Sequence, residues 1–78
     1  MNDNAKEAMR ILSAAIKSDP EYAWSWHCNI AMAARDEGLT HKAANLAAAR
    51  FMYSAFGVDT LESEQYKSLF PESAEGEG

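Results

Sequence analysis

His27, Cys28 and His41 are the residues of this sequence with the chemistry to hold a soft metal, and a zinc site needs three or four such ligands converging on one centre. His27 and Cys28 are neighbours, about 100° apart around a helix, so they do not face a common point. No H-x-x-x-H pair occurs anywhere in the chain. Cys28 beside a histidine has the elements of a nucleophile pair, but no glycine-rich turn accompanies it to hold an oxyanion. The ordinary role of such a thiol is a small buried side chain. A lone cysteine also excludes an internal disulfide or a C-x-x-C site. Asp36-Glu37 and Glu62/Glu64 are paired carboxylates, yet each pair falls at an expected helix end, where capping and solvation use it. The residues thus predict no catalytic group, no metal ligand and no cofactor. The expectation is a protein that is not an enzyme.

Tyr22, Trp24, Trp26 and His27 form the densest aromatic patch. Part of it must be core, and part is suited to a binding anchor, because tryptophan and tyrosine dominate interface hot spots. Stacking on nucleic-acid bases needs a cationic surround that this patch lacks.

The elements that position these residues are helices. The chain has 78 residues and one core at most. Hydrophobic residues make up 47%, but 15 of them are alanines, and β-branched residues are too few for a sheet. Asn4 with Glu7 has capping-box spacing, which predicts helix 5–18. Asp19-Pro20 ends that helix and opens the next over 20–37. Gly38-Leu39 stops it, Thr40 caps a third helix over 41–56, and Gly57-Val58 stops that one. Asp59 with Glu62 predicts a fourth over 61–69, closed by Pro71. Residues 1–70 are thus read as a single antiparallel bundle of three to four helices, all-α in class. Residues 71–78 are expected to be a disordered acidic tail.

Charge divides after Val58. Up to Val58 acids and bases balance six to six, and from Asp59 onward six acids face Lys67 alone, which accounts for the whole net charge of −5. No basic stripe is concentrated enough for direct nucleic-acid binding. No apolar run approaches the ~20 residues of a membrane span, and no leader is apparent. A cytoplasmic, membrane-free setting is expected.

Helices 2 and 3 each show two apolar stripes. On helix 2 one is Tyr22, Trp26, Ile30 and Ala33, and the other Trp24, Cys28, Ala31 and Met32. On helix 3 one is Ala44, Ala47, Ala48, Phe51 and Ala55, small enough for close approach, and the other Leu46, Ala49, Tyr53 and Phe56. A fourth helix carrying Leu61, Tyr66, Leu69 and Phe70 is too short to cover both extra stripes. Trp24, Cys28, Met32, Leu46, Tyr53 and Phe56 are therefore predicted to meet a partner or a second copy, with Arg35 and Arg50 at the rim. The competing expectation is that helix 4 and the start of the chain close the monomer completely.

Residues 8–51 resemble tetratricopeptide material: Ala8, Leu12 and Pro20 match the end of one unit, and Trp26 the tryptophan opening the next. A longer resemblance covers 19–60. The elements Y-A-W-x-W-H-C-N-I-A-M-A, D-E-G, A-N-x-A-A-A-R-F-M and F-x-V-D-T look like those of a family of small uncharacterised proteins of tailed bacteriophages and prophages. That resemblance implies a host-cell context rather than a mechanism. Within its span, Trp24, Trp26, His27, Asn29, Asp36, Glu37, Asn45 and Arg50 carry more chemistry than packing requires. The resulting expectation is a phage-type accessory protein that binds, and modulates or inhibits, a host protein. The alternatives are a structural adaptor or homodimer, and a small-molecule or nucleotide binder using Trp24, His27, Asn29 and Arg50.

Overall fold

Asp19 decides the first turn of the chain. It takes an extended backbone (φ −136°, ψ 101°), and its carboxylate accepts from the backbone N–H groups of Glu21 and Tyr22, so that Pro20 begins a new helix immediately. In the computed structural model, which describes residues 3–71, α1 spans Asp3–Ser18, α2 Pro20–Asp36, α3 His41–Phe56 and α4 Glu64–Leu69, with a 3₁₀ turn at Thr60–Glu62 before α4. The described residues contain no strand, and the chain is an all-α bundle. The predicted acidic tail, 72–78, lies outside the described residues.

Gly38, at φ +109°, ends α2: its N–H and that of Leu39 reach back to the carbonyls of Arg35 and Ala34. Thr40 then caps α3 by accepting from the Ala43 N–H at 3.2 Å. Gly57, at φ +72°, ends α3 in the left-handed region.

Two expectations about helix starts are corrected. α1 begins at Asp3, so Asn4 lies inside it, and the Glu7 carboxylate accepts from Arg10 instead of closing a capping box. The expected single helix 61–69 is two elements. Asp59 caps the 3₁₀ turn through the Leu61 N–H, while Ser63 caps α4 through the Tyr66 N–H. Ser63 also donates to the Thr60 carbonyl at 2.7 Å, which links the two.

The core has two layers. Ile16, Ala23, Met52 and Phe56 are buried together, with Leu12, Trp26, Ile30 and Val58 packed against them. Next to it, Ala31 of α2 meets Ala44 and Ala48 of α3, with Ile30 and Ala34 at the edge. Side chains this small let the α2 and α3 backbones approach closely. Burying Ile16 and Met52 contributes about 1.5–3 kcal/mol each. α1 meets the core through its C-terminal half: Ile16 is buried and Leu12 packs against the same cluster, while Ala8 and Met9 are exposed. No helix among the described residues is long and apolar enough to cross a membrane.

Candidate functional site

His27 is one of the three largest side chains fully enclosed by the protein, with Ile16 and Met52. It sits on the α2 face that meets α3, between the buried Ala23 and Ala31, one turn to either side. An imidazole there must have both nitrogens satisfied, because a buried polar atom without a partner costs about 1–3 kcal/mol. Both are. His27 Nε2 lies 2.8 Å from Asn45 Oδ1 on α3, and Nδ1 lies 2.8 Å from Thr60 Oγ1 in the 3₁₀ turn.

The direction of each bond follows from the next one out. Asn45 Nδ2 donates to the His41 backbone carbonyl at 2.9 Å, and a carbonyl only accepts. That orients the amide and leaves Oδ1 as the acceptor for His27. Nε2 therefore carries the proton, and Nδ1 accepts from the Thr60 hydroxyl. Burial pushes the His27 pKa below its ordinary 6.5, and the Asn45 hydrogen bond opposes that only in part. The imidazole is neutral.

Aromatic rings enclose the pair. The Trp24 indole stacks on His27 with centroids 4.3 Å apart and planes 16° from parallel. Tyr66 of α4 meets His27 edge-on at 6.0 Å, Phe70 follows Tyr66 at 5.0 Å, and His41 lies 5.1 Å from Phe70. Arg35 Nη1 donates to His41 Nδ1 at 3.3 Å. Burial raises the pKa of both the Tyr66 phenol and the Cys28 thiol, so neither is activated. Among the described residues no buried side-chain nitrogen or oxygen lacks a partner, and no three His, Cys, Asp or Glu side chains converge as a metal site. The arrangement is a clamp across three elements, with His27, Asn45 and Thr60 all buried.

The predicted interface residues divide. Phe56 is in the core and is not available to a partner, because its ring packs with Ile16 of α1, Ala23 of α2 and Met52. Trp24, Cys28 and Leu46 are half-buried, Trp24 against His27. Met32, Arg35, Arg50 and Tyr53 are exposed, and Tyr53 at 64% is the most exposed of the large apolar side chains. The four residues suggested as a small-molecule site do not come together. His27 is enclosed, Asn29 lies about 200° around α2 from it, and Arg50 is on the outer side of α3.

Beside Trp24 lies a cleft of about 210 Å³, lined by Lys17 and Ala23 on one side and Asp59, Thr60 and Glu62 on the other. Thr60 and Tyr66 are the site residues that sequence reasoning missed. A second surface is also plain. Along the outer side of α3, Lys42, Leu46, Arg50 and Tyr53 follow at steps of four, four and three residues, which places them on one stripe. α3 contains no acidic residue, and among the described residues neither Lys42 nor Arg50 makes an ion pair.

No family model, no curated protein and no solved structure matches the chain.

Proposed function

We propose that this is a phage-type accessory protein that acts in the host cytoplasm by binding a host protein, and that the outer face of α3 is its binding face. The observation that carries the reading is Tyr53, 64% exposed on an acid-free helix, next to Arg50 and in line with Leu46 and Lys42. A solvent-facing tyrosine beside arginine is the composition of an interface anchor. In a chain of net charge −5, a helix carrying only positive charge selects an acidic partner surface with an apolar recess for the ring. Two copies meeting face to face through α3 would oppose Arg50 and Lys42 to like charges, which favours a different protein over a homodimer. Modulation or inhibition of the host protein would follow from occupying its acidic surface. Residues 8–51, with Trp26 in α2, also resemble tetratricopeptide material.

The test compares the full chain with a Tyr53→Ser, Arg50→Glu variant in captures from bacterial extract at about 0.15 M salt. A protein held by the first and lost from the second, at unchanged helical circular dichroism, supports the reading. Equal capture by both contradicts it. A concentration-dependent dimer of the chain alone, abolished in the variant, reassigns the face to self-association.

A further inference from the structure

The His27 clamp ties the 3₁₀ turn and α4 to the α2–α3 pair, and it is built around a neutral imidazole. We propose that the 3₁₀ turn and α4, residues 60–69, form a pH-sensitive latch that releases from α2 and α3 when His27 takes up a proton. The released face is the Trp24–Cys28 side of α2 together with Asn45 of α3. The latch does not depend on what the outer face of α3 binds.

The geometry favours a neutral ring in the docked state. Nδ1 is the nitrogen that would be protonated, and it is already occupied by the Thr60 hydroxyl at 2.8 Å. A proton there reverses the bond: Nδ1–H donates to Thr60 Oγ1, and the Thr60 O–H must turn away and loses its acceptor inside the core. The groups facing the ring give an imidazolium little support. From α2 there is the Trp24 indole. From α3 there is the neutral Asn45 amide, with His41 behind it engaged by Arg35. From α4 there is the Tyr66 phenol. From the 3₁₀ turn there is Thr60, whose neighbours Asp59 and Glu62 line the cleft, the first occupied with the Leu61 N–H and the second with Lys67. α1 contributes Lys17 to that cleft, a positive charge. The indole face and the Asn45 oxygen favour the cation modestly, but no carboxylate bonds the ring and no water reaches it.

The latch is also the part of the fold least able to hold itself. α4 has six residues, too few for a stable isolated helix. Thr60 and Tyr66 are its only fully buried side chains. α2 and α3, by contrast, share the Ala31–Ala44–Ala48 layer and the Met52 core without it. Local opening is therefore expected before global unfolding. Once open, the ring titrates near 6.5, and the ratio of docked to released arm falls about tenfold per pH unit below that, until the depressed pKa of the docked state is reached.

Amide NMR spectra of the full chain, followed from about pH 7.5 to about pH 4.5, test this across the imidazole range. The amide signals of residues 60–69 are expected to move to unstructured positions below pH 6.5, while those of α2 and α3 keep their dispersion. His27→Gln, whose amide can donate to Asn45 and accept from Thr60 without titrating, is expected to keep the arm docked throughout. Thr60→Val, which removes the hydroxyl, is expected to loosen the arm already at neutral pH and serves if the glutamine variant fails to fold. Arm signals that do not change down to pH 4.5 would overturn the latch. So would release at the same midpoint in His27→Gln, which would put the titration on carboxylates, or loss of α2 and α3 signals together with the arm.

Discussion

Asn45 Oδ1 accepts from His27 Nε2 at 2.8 Å while Asn45 Nδ2 donates to the His41 carbonyl at 2.9 Å, so one buried amide both sets the imidazole tautomer and ties it to the start of α3. Asn45→Ala removes both bonds and leaves the Nε2–H without an acceptor. The expected loss is about 1–3 kcal/mol in urea unfolding at neutral pH. Asn29→Ala, on the exposed side of α2, should stay within about 0.5 kcal/mol. Equal effects would mean that Asn45 contributes no more than a surface residue.

Overall stability should depend on pH in a window where carboxylates are silent. Above 6.5 His27 is neutral whether folded or unfolded, so it contributes no slope. Below 6.5 the unfolded chain binds a proton that the folded chain resists, and stability falls as pH falls, by about 1.4 kcal/mol per unit at most, until the folded pKa is reached. Thermal melts of the wild type should therefore decline between pH 6.5 and about 5, and those of His27→Gln should stay level. A wild-type curve that is flat over that interval contradicts the assignment.

The two tryptophans should respond differently. Trp26 packs against the Ile16, Met52 and Phe56 cluster, and Tyr22 meets it edge-on at 6.5 Å. Trp26→Ala should cost about 3–5 kcal/mol, enough to unfold so small a domain. Trp24→Ala loses the stack on His27, about 0.5–1.5 kcal/mol beyond the lost area, and should raise the His27 pKa by admitting water. Finding Trp24→Ala the more damaging of the two would reverse this order.

Gly57→Ala tests the end of α3. A methyl group there meets only the Lys17 Cε, at 3.9 Å, so space is not the obstacle, but φ is +72°. The strain should cost about 1 kcal/mol. A melting temperature unchanged from wild type would show that the loop relaxes around the substitution.

Helix punctuation was legible in the residues because each stop and cap acts locally. Pro20, Gly38, Thr40 and Gly57 impose their torsions or hydrogen bonds within a few positions, and all of them mark helix ends in the structure. The break at Ser63 was not legible. Asp59 and Glu62 have the spacing of one cap, yet Ser63 offers a second acceptor just downstream, and the chain uses both. Met52 escaped the stripe reading because the many alanines of α3 make several faces look equally apolar. The site was half legible: His27 and Asn45 exceeded packing needs, but nothing local joins His27 to Thr60, 33 positions away. That contact depends on how the turn at Gly57 returns the chain across α2, a tertiary event without a sequence period. The burial of Phe56 has the same tertiary origin.

The most direct measurement is a long-range proton–nitrogen NMR spectrum of the His27 ring at neutral pH, followed through 6.5. The account predicts a neutral ring with its proton on Nε2, persisting below pH 6.5 for as long as residues 60–69 stay docked. A ring protonated on Nδ1, or one that titrates at 6.5 or above with the arm still in place, would contradict it.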